Sequence, residues 1–252
     1  MGGVLDTCMK RGVVHSLLMV AALLLAACVG TVSTDTSPPP AHPKPRYLDG
    51  FTLIPDSEDT GVGRLLTLDG RLVGSGVLIG PQAVLTAAHC VDTGKVYWFE
   101  TNGQRYCVDS VHIHPNPRVD AALLILYEPC PEPPVPLPSP DHRVFRGQPL
   151  TAIGHGGGFR KRSDYGVLWY YGTLVEDPTN LKMLCYRGTI WFGDSGGAVI
   201  DNSGVLVGIV SSLGVRGEIV YENTAVHVTL IVGWIQNTLE EHQCDLTEFK
   251  EF

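Results

Sequence analysis

Short apolar runs, each broken by Gly, Pro, Asn or Asp, recur along most of the chain. Clear examples lie at residues 64–68, 76–79 and 205–211. Asp69-Gly70 directly follows the first of these runs, and this dipeptide between apolar segments is typical of a β-hairpin turn. Many short strands at close spacing indicate an all-β protein, either a barrel or a sandwich.

Two segments depart from this pattern. Residues 228–239 have a helical period, which predicts a C-terminal helix extending to about residue 242. Its apolar face is formed by Leu230, Ile231, Trp234, Ile235 and Leu239. Residues 129–138 are rich in proline, which cannot occupy the interior of a strand, and they divide the body into two similar halves. We therefore expect two small β-barrels joined by this linker.

The N-terminus has the features of an export signal. Lys10 and Arg11 precede an apolar run at residues 13–27, which are the charged and apolar regions of a signal peptide. The run ends in Leu25-Ala26-Ala27-Cys28 and resembles the lipobox of bacterial lipoproteins, in which the leader is removed before a cysteine that is then acylated. This resemblance implies a signal peptide at 1–27 and a palmitate-type lipid anchor on Cys28.

Two alternatives remain for this leader, an ordinary signal peptide cut nearby or an uncleaved membrane anchor. All three place the body of the protein outside the cytoplasm. Residues 28–46 have five prolines between Pro38 and Pro45, which makes them a semi-rigid spacer suited to a tethered domain at 47–252. We expect a location in the bacterial cell envelope, on the outer membrane or surface, with contact to the lipid bilayer through Cys28.

Charge and cysteine content narrow the function further. The formal net charge is −8, which argues against nucleic acid as a partner because that binding depends on clustered Lys and Arg. Of seven cysteines, Cys8 leaves with the leader and Cys28 would carry lipid, so five remain and at most two disulfide bonds can form among them. His112 and His114 would share a strand face but have no further ligand nearby in the sequence, so we expect no metal site.

Three segments carry residues suited to acyl transfer. Ser195 lies in Gly193-Asp194-Ser195-Gly196-Gly197, where glycines allow a tight turn and leave the amides of Gly193 and Ser195 free to bind an oxyanion. His89 follows an apolar run and is a candidate base. Asp120 opens the apolar segment 120–126, where a buried carboxylate needs a partner such as an imidazole N–H.

All three segments, in the order His, Asp, Ser, resemble the trypsin-like serine protease family, as do framework motifs from about residue 71 to 239. The resemblance implies a chymotrypsin-like fold of two antiparallel six-stranded β-barrels, at about 47–130 and 140–227, with a C-terminal helix at 228–242. It implies a secreted hydrolase, a serine endopeptidase with His89, Asp120 and Ser195 as the catalytic triad. Gly193 and Ser195 would form the oxyanion hole, the partner would be a polypeptide substrate, and we expect a monomer without a cofactor.

The same resemblance suggests residues that bind substrate. Thr189 falls at the base of the primary specificity pocket, where a neutral hydroxyl cannot pair with Arg or Lys. Leu213 falls on a pocket wall, Phe192 lies beside the oxyanion glycine, and Ser211 begins the strand that would pair with the substrate backbone. We therefore expect a preference for neutral or apolar side chains and not for Arg or Lys.

Two departures from the family leave questions about activation and disulfide pairing. Asp194 is the residue that, in many relatives, pairs with a new N-terminus, and cleavage near Arg46 would create one and release the lipid anchor. Arg46 is also consistent with the plain end of a charged spacer. Gly74 replaces the cysteine that usually bridges to Cys90, so Cys107 is the first guess for a new partner.

One other function fits this sequence, a catalytically inactive protease-fold protein that only binds. Such a protein usually lacks a triad or oxyanion residue, and none is missing here.

Overall fold

Strands dominate the structure. The computed structural model describes residues 51–55, 58–157, 162–173, 182–187, 190–216 and 219–242, and for residues 51, 162–173, 182–187, 213–216 and 219–222 it describes the backbone alone. The strands are β1 (Phe51–Leu53), β2 (Val62–Thr67), β3 (Leu72–Gly80), β4 (Ala83–Thr86), β5 (Tyr97–Thr101), β6 (Gln104–Ile113), β7 (Ala122–Leu126), β8 (Pro149–Gly154), β9 (Arg162–Thr173), β10 (Lys182–Arg187), β11 (Ala198–Asp201), β12 (Leu206–Arg216) and β13 (Ile219–His227). In the described part of the chain an α-helix, α1 (Val232–Glu241), follows them.

The first six-stranded unit is a closed antiparallel barrel in the order β2-β3-β4-β7-β6-β5. The Asp69-Gly70 hairpin is confirmed, because it joins β2 to β3, and Gly70 takes a positive φ of 84° in this turn. Leu65, Leu78 and Leu124 fill the barrel interior and are fully buried. The short apolar runs of the sequence thus supply the interior of the barrel.

The second half is a seven-stranded antiparallel sheet in the order β1-β9-β10-β13-β12-β11-β8. Because β8 also pairs with β9, the six strands β8 to β13 close on themselves, and β1 is added to the edge of β9. The expected all-β fold of two antiparallel units with a C-terminal helix is confirmed. The first strand of the described chain belongs to the second unit, with Phe51 opposite Asp164.

A shared apolar core joins the two units. Leu85 and Leu123 of the first barrel belong to one buried cluster with Ile209 of the second unit and with Ile235 and Leu239 of the helix. Burial of such side chains stabilises each by about 1.5–3 kcal/mol relative to exposure. The shared core therefore fixes the relative position of the edges that form the cleft described below.

The C-terminal helix is confirmed, but it begins at Val232 because residues Val228–Leu230 form a 3₁₀ helix ahead of it. Ile235 and Leu239 are buried as expected, whereas Leu230 lies in the 3₁₀ segment and is 46% exposed. None of the helices in the described ranges has the length and apolarity needed to cross a bilayer. The leader, spacer and Cys28 lie outside those ranges.

The first guess for a disulfide between Cys90 and Cys107 is wrong. Cys90 and Cys130 are free and buried, and Cys107 is disulfide-bonded to a different cysteine. The reason is that the two side chains lie on opposite sides of the barrel wall. Cys90 packs in the barrel interior, whereas Cys107 packs with Leu66 and Trp98 in a separate cluster.

Candidate active site

His89 and Asp120 are brought together by two neighbouring strands of the first barrel. Thr86 at the end of β4 lies opposite Ala122 at the start of β7. His89 follows β4 in a 3₁₀ helix (Ala88–Cys90), and Asp120 precedes β7. Because the strands are antiparallel, the end of one and the start of the other meet at the same rim of the barrel.

The Asp120 carboxylate accepts three hydrogen bonds. The backbone N–H of His89 donates to Oδ1 at 3.0 Å, and Nδ1 of the same residue lies 2.8 Å from Oδ2. The Ser211 hydroxyl of β12 donates to Oδ2 at 2.6 Å. An ionised carboxylate can only accept, so the proton of a neutral His89 resides on Nδ1, and Nε2 is left as the basic nitrogen.

This arrangement shifts both pKa values. The hydrogen bond to Asp120, followed by one to Cys90, raises the pKa of His89 well above its ordinary value of 6.5. For Asp120, burial acts to raise the pKa, but the hydrogen bonds from His89 and Ser211 outweigh it and hold the pKa below its usual range. Asp120 therefore remains charged and stabilises an imidazolium at His89.

Ser195 follows a tight turn that starts at Trp191. The Asp194 N–H donates to the Trp191 carbonyl at 3.0 Å, and Gly193 has a φ of +101°, which are the features of a type II turn with glycine at its third position. The Phe192 carbonyl accepts from the Gly157 N–H at 2.9 Å. Since C=O and N–H point in opposite directions across a trans peptide, the Gly193 N–H points away from that bond.

The backbone N–H groups of Gly193 and Ser195 have no acceptor among the described residues. Both residues line the cleft. An oxyanion that develops on a substrate carbonyl next to Ser195 requires two such donors. The two backbone amides are therefore available to a ligand in the cleft.

Asp194 supports this turn from behind and is buried, with 3% of its surface exposed. Its Oδ1 accepts from the Gly156 N–H at 2.5 Å and its Oδ2 from the Trp191 N–H at 2.7 Å. The Gly156 backbone can approach this closely only because it lacks a side chain, since a Cβ there would lie 2.1 Å from Oδ2. Both carboxylate oxygens are therefore held by main-chain amides from the second unit.

His89, Asp120 and Ser195 line one open cavity of about 750 Å³ between the two units. The remaining lining residues are mostly apolar: Leu72, Val73, Ile190, Trp191, Phe192, Gly193, Val210, Ser211 and Ser212. Phe192 is 49% exposed at its rim. Among the described lining residues only His89 and Asp120 carry an ionisable group, so the rest of the cavity wall suits an uncharged ligand.

The two predicted pocket residues are described only in part. Thr189 lies outside the described residues, and Leu213 is placed in β12 by its backbone alone. Strand β12 pairs with β13 from Gly208 to Arg216, but β11 accompanies it only as far as Ile209. The other edge of β12 from Ser211 onward is therefore open to an added strand among the described residues.

Some residues of the site have roles that the motifs did not indicate. Ser211 was expected to bind substrate and lines the cleft, but the residue is only 8% exposed and its hydroxyl donates to Asp120. Ser75 and Leu72, on β3, reach the site from the first barrel, Ser75 through a hydrogen bond to the Gly193 carbonyl. In the sequence, these contacts are indicated only by the closeness of Leu72 and Ser75 to Gly74.

The histidines that could suggest a metal site have other neighbours. The His112 ring contacts the His242 ring at a centroid distance of 4.3 Å, and the His114 ring contacts Trp234 at 4.9 Å. Within the described ranges no group of three or more His, Cys, Asp or Glu residues is placed to hold a metal ion.

Comparisons with known proteins agree with this geometry. Residues 74–209 match the family model described as a trypsin-like peptidase domain. None of the curated proteins matches the chain in sequence.

Several solved structures share the fold. The Rv3671c protease of M. tuberculosis in an inactive form has 20% identity and a TM-score of 0.57, over 73% of this chain and 89% of that chain. Human heparin binding protein has 18% identity and a TM-score of 0.63, over 76% and 96% of the two chains. Neuropsin, a serine protease of mouse brain, has 23% identity and a TM-score of 0.62, over 76% and 99%.

Proposed function

Because the chain belongs to the trypsin-like peptidase family, we propose that it is a serine endopeptidase with Ser195 as nucleophile, His89 as general base and Asp120 as the residue that orients the histidine. The observation that carries the proposal is the hydrogen-bonded pair of His89 and Asp120 in the same cavity as Ser195 and the two unoccupied amides. These groups are the kinds that acyl transfer by a serine requires, namely a base, a carboxylate that orients it and donors for the oxyanion.

In the proposed mechanism the Ser195 Oγ attacks the carbonyl carbon of the scissile peptide while His89 Nε2 takes the hydroxyl proton. The carbonyl oxygen becomes an oxyanion that accepts from the Gly193 and Ser195 amides. Collapse of the tetrahedral intermediate breaks the C–N bond, and the amine leaves with the proton from His89. Water then attacks the acyl-enzyme with His89 again as base, which releases the acid and restores the Ser195 hydroxyl.

The substrate we propose is an extended polypeptide with a neutral or apolar residue before the scissile bond. The open edge of β12 is suited to pair with its backbone. The apolar lining at Ile190, Trp191 and Val210 supports an uncharged side chain. A buried cation without a carboxylate partner would be costly, which disfavours Arg and Lys.

We also propose that the domain acts outside the cytoplasm as a monomer tethered through acylated Cys28. This part rests on the apolar leader and the proline-rich spacer alone. Labelling with radioactive palmitate, compared between the natural chain and Cys28→Ala, tests it. Incorporation into both chains to the same extent would contradict it.

The second candidate is an inactive protease-fold protein that binds a partner, since inactive forms are among the similar structures. A fluorophosphonate reacts only with a serine whose base and oxyanion donors are in place. We expect it to label Ser195 and to leave Ser195→Ala unmodified, as read by intact mass. Failure to label the natural chain, under conditions that label a control protease, would favour the binding function.

A further inference from the structure

Ser75 lies on β3 of the first barrel, and it is fully buried against the oxyanion turn of the second unit. Its backbone N–H donates to the Ser195 carbonyl at 2.8 Å. Its hydroxyl donates to the Gly193 carbonyl at 2.8 Å and accepts from the His155 N–H at 3.0 Å. One residue of the first barrel thus makes three hydrogen bonds across the boundary between the two units.

The Ser75 hydroxyl and two backbone bonds together decide where the Gly193 N–H points. The peptide before Gly193 is held by the bond from Gly157 to the Phe192 carbonyl. The peptide after it is held by the Asp194 N–H at the Trp191 carbonyl and by the Ser75 hydroxyl at the Gly193 carbonyl. Glycine has the widest backbone freedom of any residue and does not hold a φ of +101° by itself. Anchoring the peptides on both sides removes that freedom.

We propose that the Ser75 hydroxyl is a positioning element of the oxyanion hole, which holds the Gly193 amide in its donor orientation from the opposite barrel. The inference rests on the proposed peptidase function, because an oxyanion hole has meaning only for acyl transfer. Ser75 touches no substrate atom in this proposal. It acts through Gly193, and it also ties the turn to the barrel that carries His89 and Asp120.

Removing the hydroxyl has a predictable kinetic signature. In Ser75→Ala the partly buried Gly193 carbonyl loses its donor, and the turn can relax into other orientations. The Gly193 N–H binds charge that develops only in the transition state, so its misplacement lowers kcat more than it changes KM. Complete removal of one oxyanion donor costs about 10²–10³-fold in kcat, and a displaced donor costs less.

The test compares natural protein and Ser75→Ala with a peptide substrate that the natural protein hydrolyses, normalised by active-site titration. We expect kcat to fall at least about tenfold, with KM changed less than about twofold. A peptide aldehyde, which forms a tetrahedral adduct with an oxyanion, should lose affinity by a similar factor. A product peptide, which forms no such adduct, should bind with unchanged affinity.

Thr101→Val is the matched control. Thr101 is buried, and its hydroxyl donates to Glu132 at 2.5 Å in the first barrel, with no described contact to the cleft. We expect this variant to have a lower Tm with kcat and aldehyde affinity unchanged. The same loss of activity in Thr101→Val and Ser75→Ala would mean that general destabilisation explains both, and would overturn the proposal.

An unchanged kcat per titrated site in Ser75→Ala would also overturn it. If that variant does not fold, Ser75→Cys replaces it, since the thiol keeps a weaker donor at the same place, and we expect a kcat below that of the natural protein. An unchanged kcat in Ser75→Cys would overturn the proposal equally. A natural protein that hydrolyses no peptide would refute the peptidase function together with this inference, whereas an active protein with unaltered Ser75 variants would refute the inference alone.

Discussion

Replacing Asp194 with asparagine tests how much its carboxylate contributes to holding the turn that starts at Trp191. Both oxygens accept from backbone amides, at 2.5 Å from Gly156 and 2.7 Å from Trp191. The asparagine amide has the same shape but only one acceptor atom, so one of the two N–H groups must face an NH₂ group. The change therefore breaks at least one charge-assisted hydrogen bond and introduces a repulsive contact.

Hydrogen bonds to charged groups contribute about 1.5–3 kcal/mol each, and every 1.4 kcal/mol corresponds to a factor of ten. If the variant must recover the natural conformation of the turn to reach the transition state, the lost free energy of one such bond lowers kcat/KM about 10- to 150-fold in Asp194→Asn. The assay is steady-state hydrolysis of a peptide substrate, corrected by active-site titration. Urea unfolding of the same samples measures any loss of global stability.

Asp201→Asn is a suitable control. Asp201 is also buried. Its Oδ1 accepts from the backbone amides of Ser203 and Val205, its Oδ2 pairs with His142 at 2.9 Å, and the residue lies outside the cleft lining. We expect this variant to lose stability and to keep the natural kcat/KM. Natural kcat/KM in Asp194→Asn, or an equal loss in both variants, would refute the reasoning about the turn.

Further predictions follow from the same geometry. A Cβ on Gly74 would lie 3.5 Å from the Cys90 Cβ, within the range of about 3.5–4.5 Å found in disulfides. Gly74→Cys should therefore oxidise to a bridge with Cys90 that stabilises the fold by about 2 kcal/mol, as read by thiol counting and urea unfolding. The bridged variant has one free thiol fewer than the natural protein, and one free thiol more would contradict the prediction. The hydrogen bond to Asp120 raises the pKa of His89. A plot of kcat/KM against pH should therefore rise as the imidazole loses its proton, with a midpoint above 6.5. A midpoint at or below 6.5 would contradict the pairing of His89 with Asp120. Backbone amides already hold the carboxylate of Asp194. Arg46→Ala protein, in which the spacer stays uncut, should therefore have the same kcat/KM as natural protein cleaved near Arg46. Activity that appears only after cleavage would show that a new N-terminus is needed.

The strand pattern made much of the fold predictable. Asp69-Gly70 identified a real hairpin, and the proline-rich segment at 129–138 does separate the two units. The period of the C-terminal helix was correct for Ile235 and Leu239. These predictions succeed because each depends on a few neighbouring residues, whose propensities the tertiary structure did not override.

Contacts between segments distant in the sequence could not be predicted in the same way. Ser75 and Gly193 are 118 positions apart, and Ser211 and Asp120 are 91 apart. A serine hydroxyl has no sequence signal for its partner, because it can donate or accept in almost any direction. The pairing of β1 with β9 could not be predicted either, because strand order depends on contacts between distant segments and not on the local pattern.

The central claim is that Ser195 hydrolyses peptide bonds with the help of His89 and Asp120. The most direct measurement is incubation of purified protein with a library of unfolded peptides, with cleavage sites mapped by mass spectrometry, beside Ser195→Ala prepared identically. We expect internal cleavage after neutral or apolar residues by the natural protein and none by the variant. No cleavage by the natural protein, or equal cleavage by both, would contradict the claim.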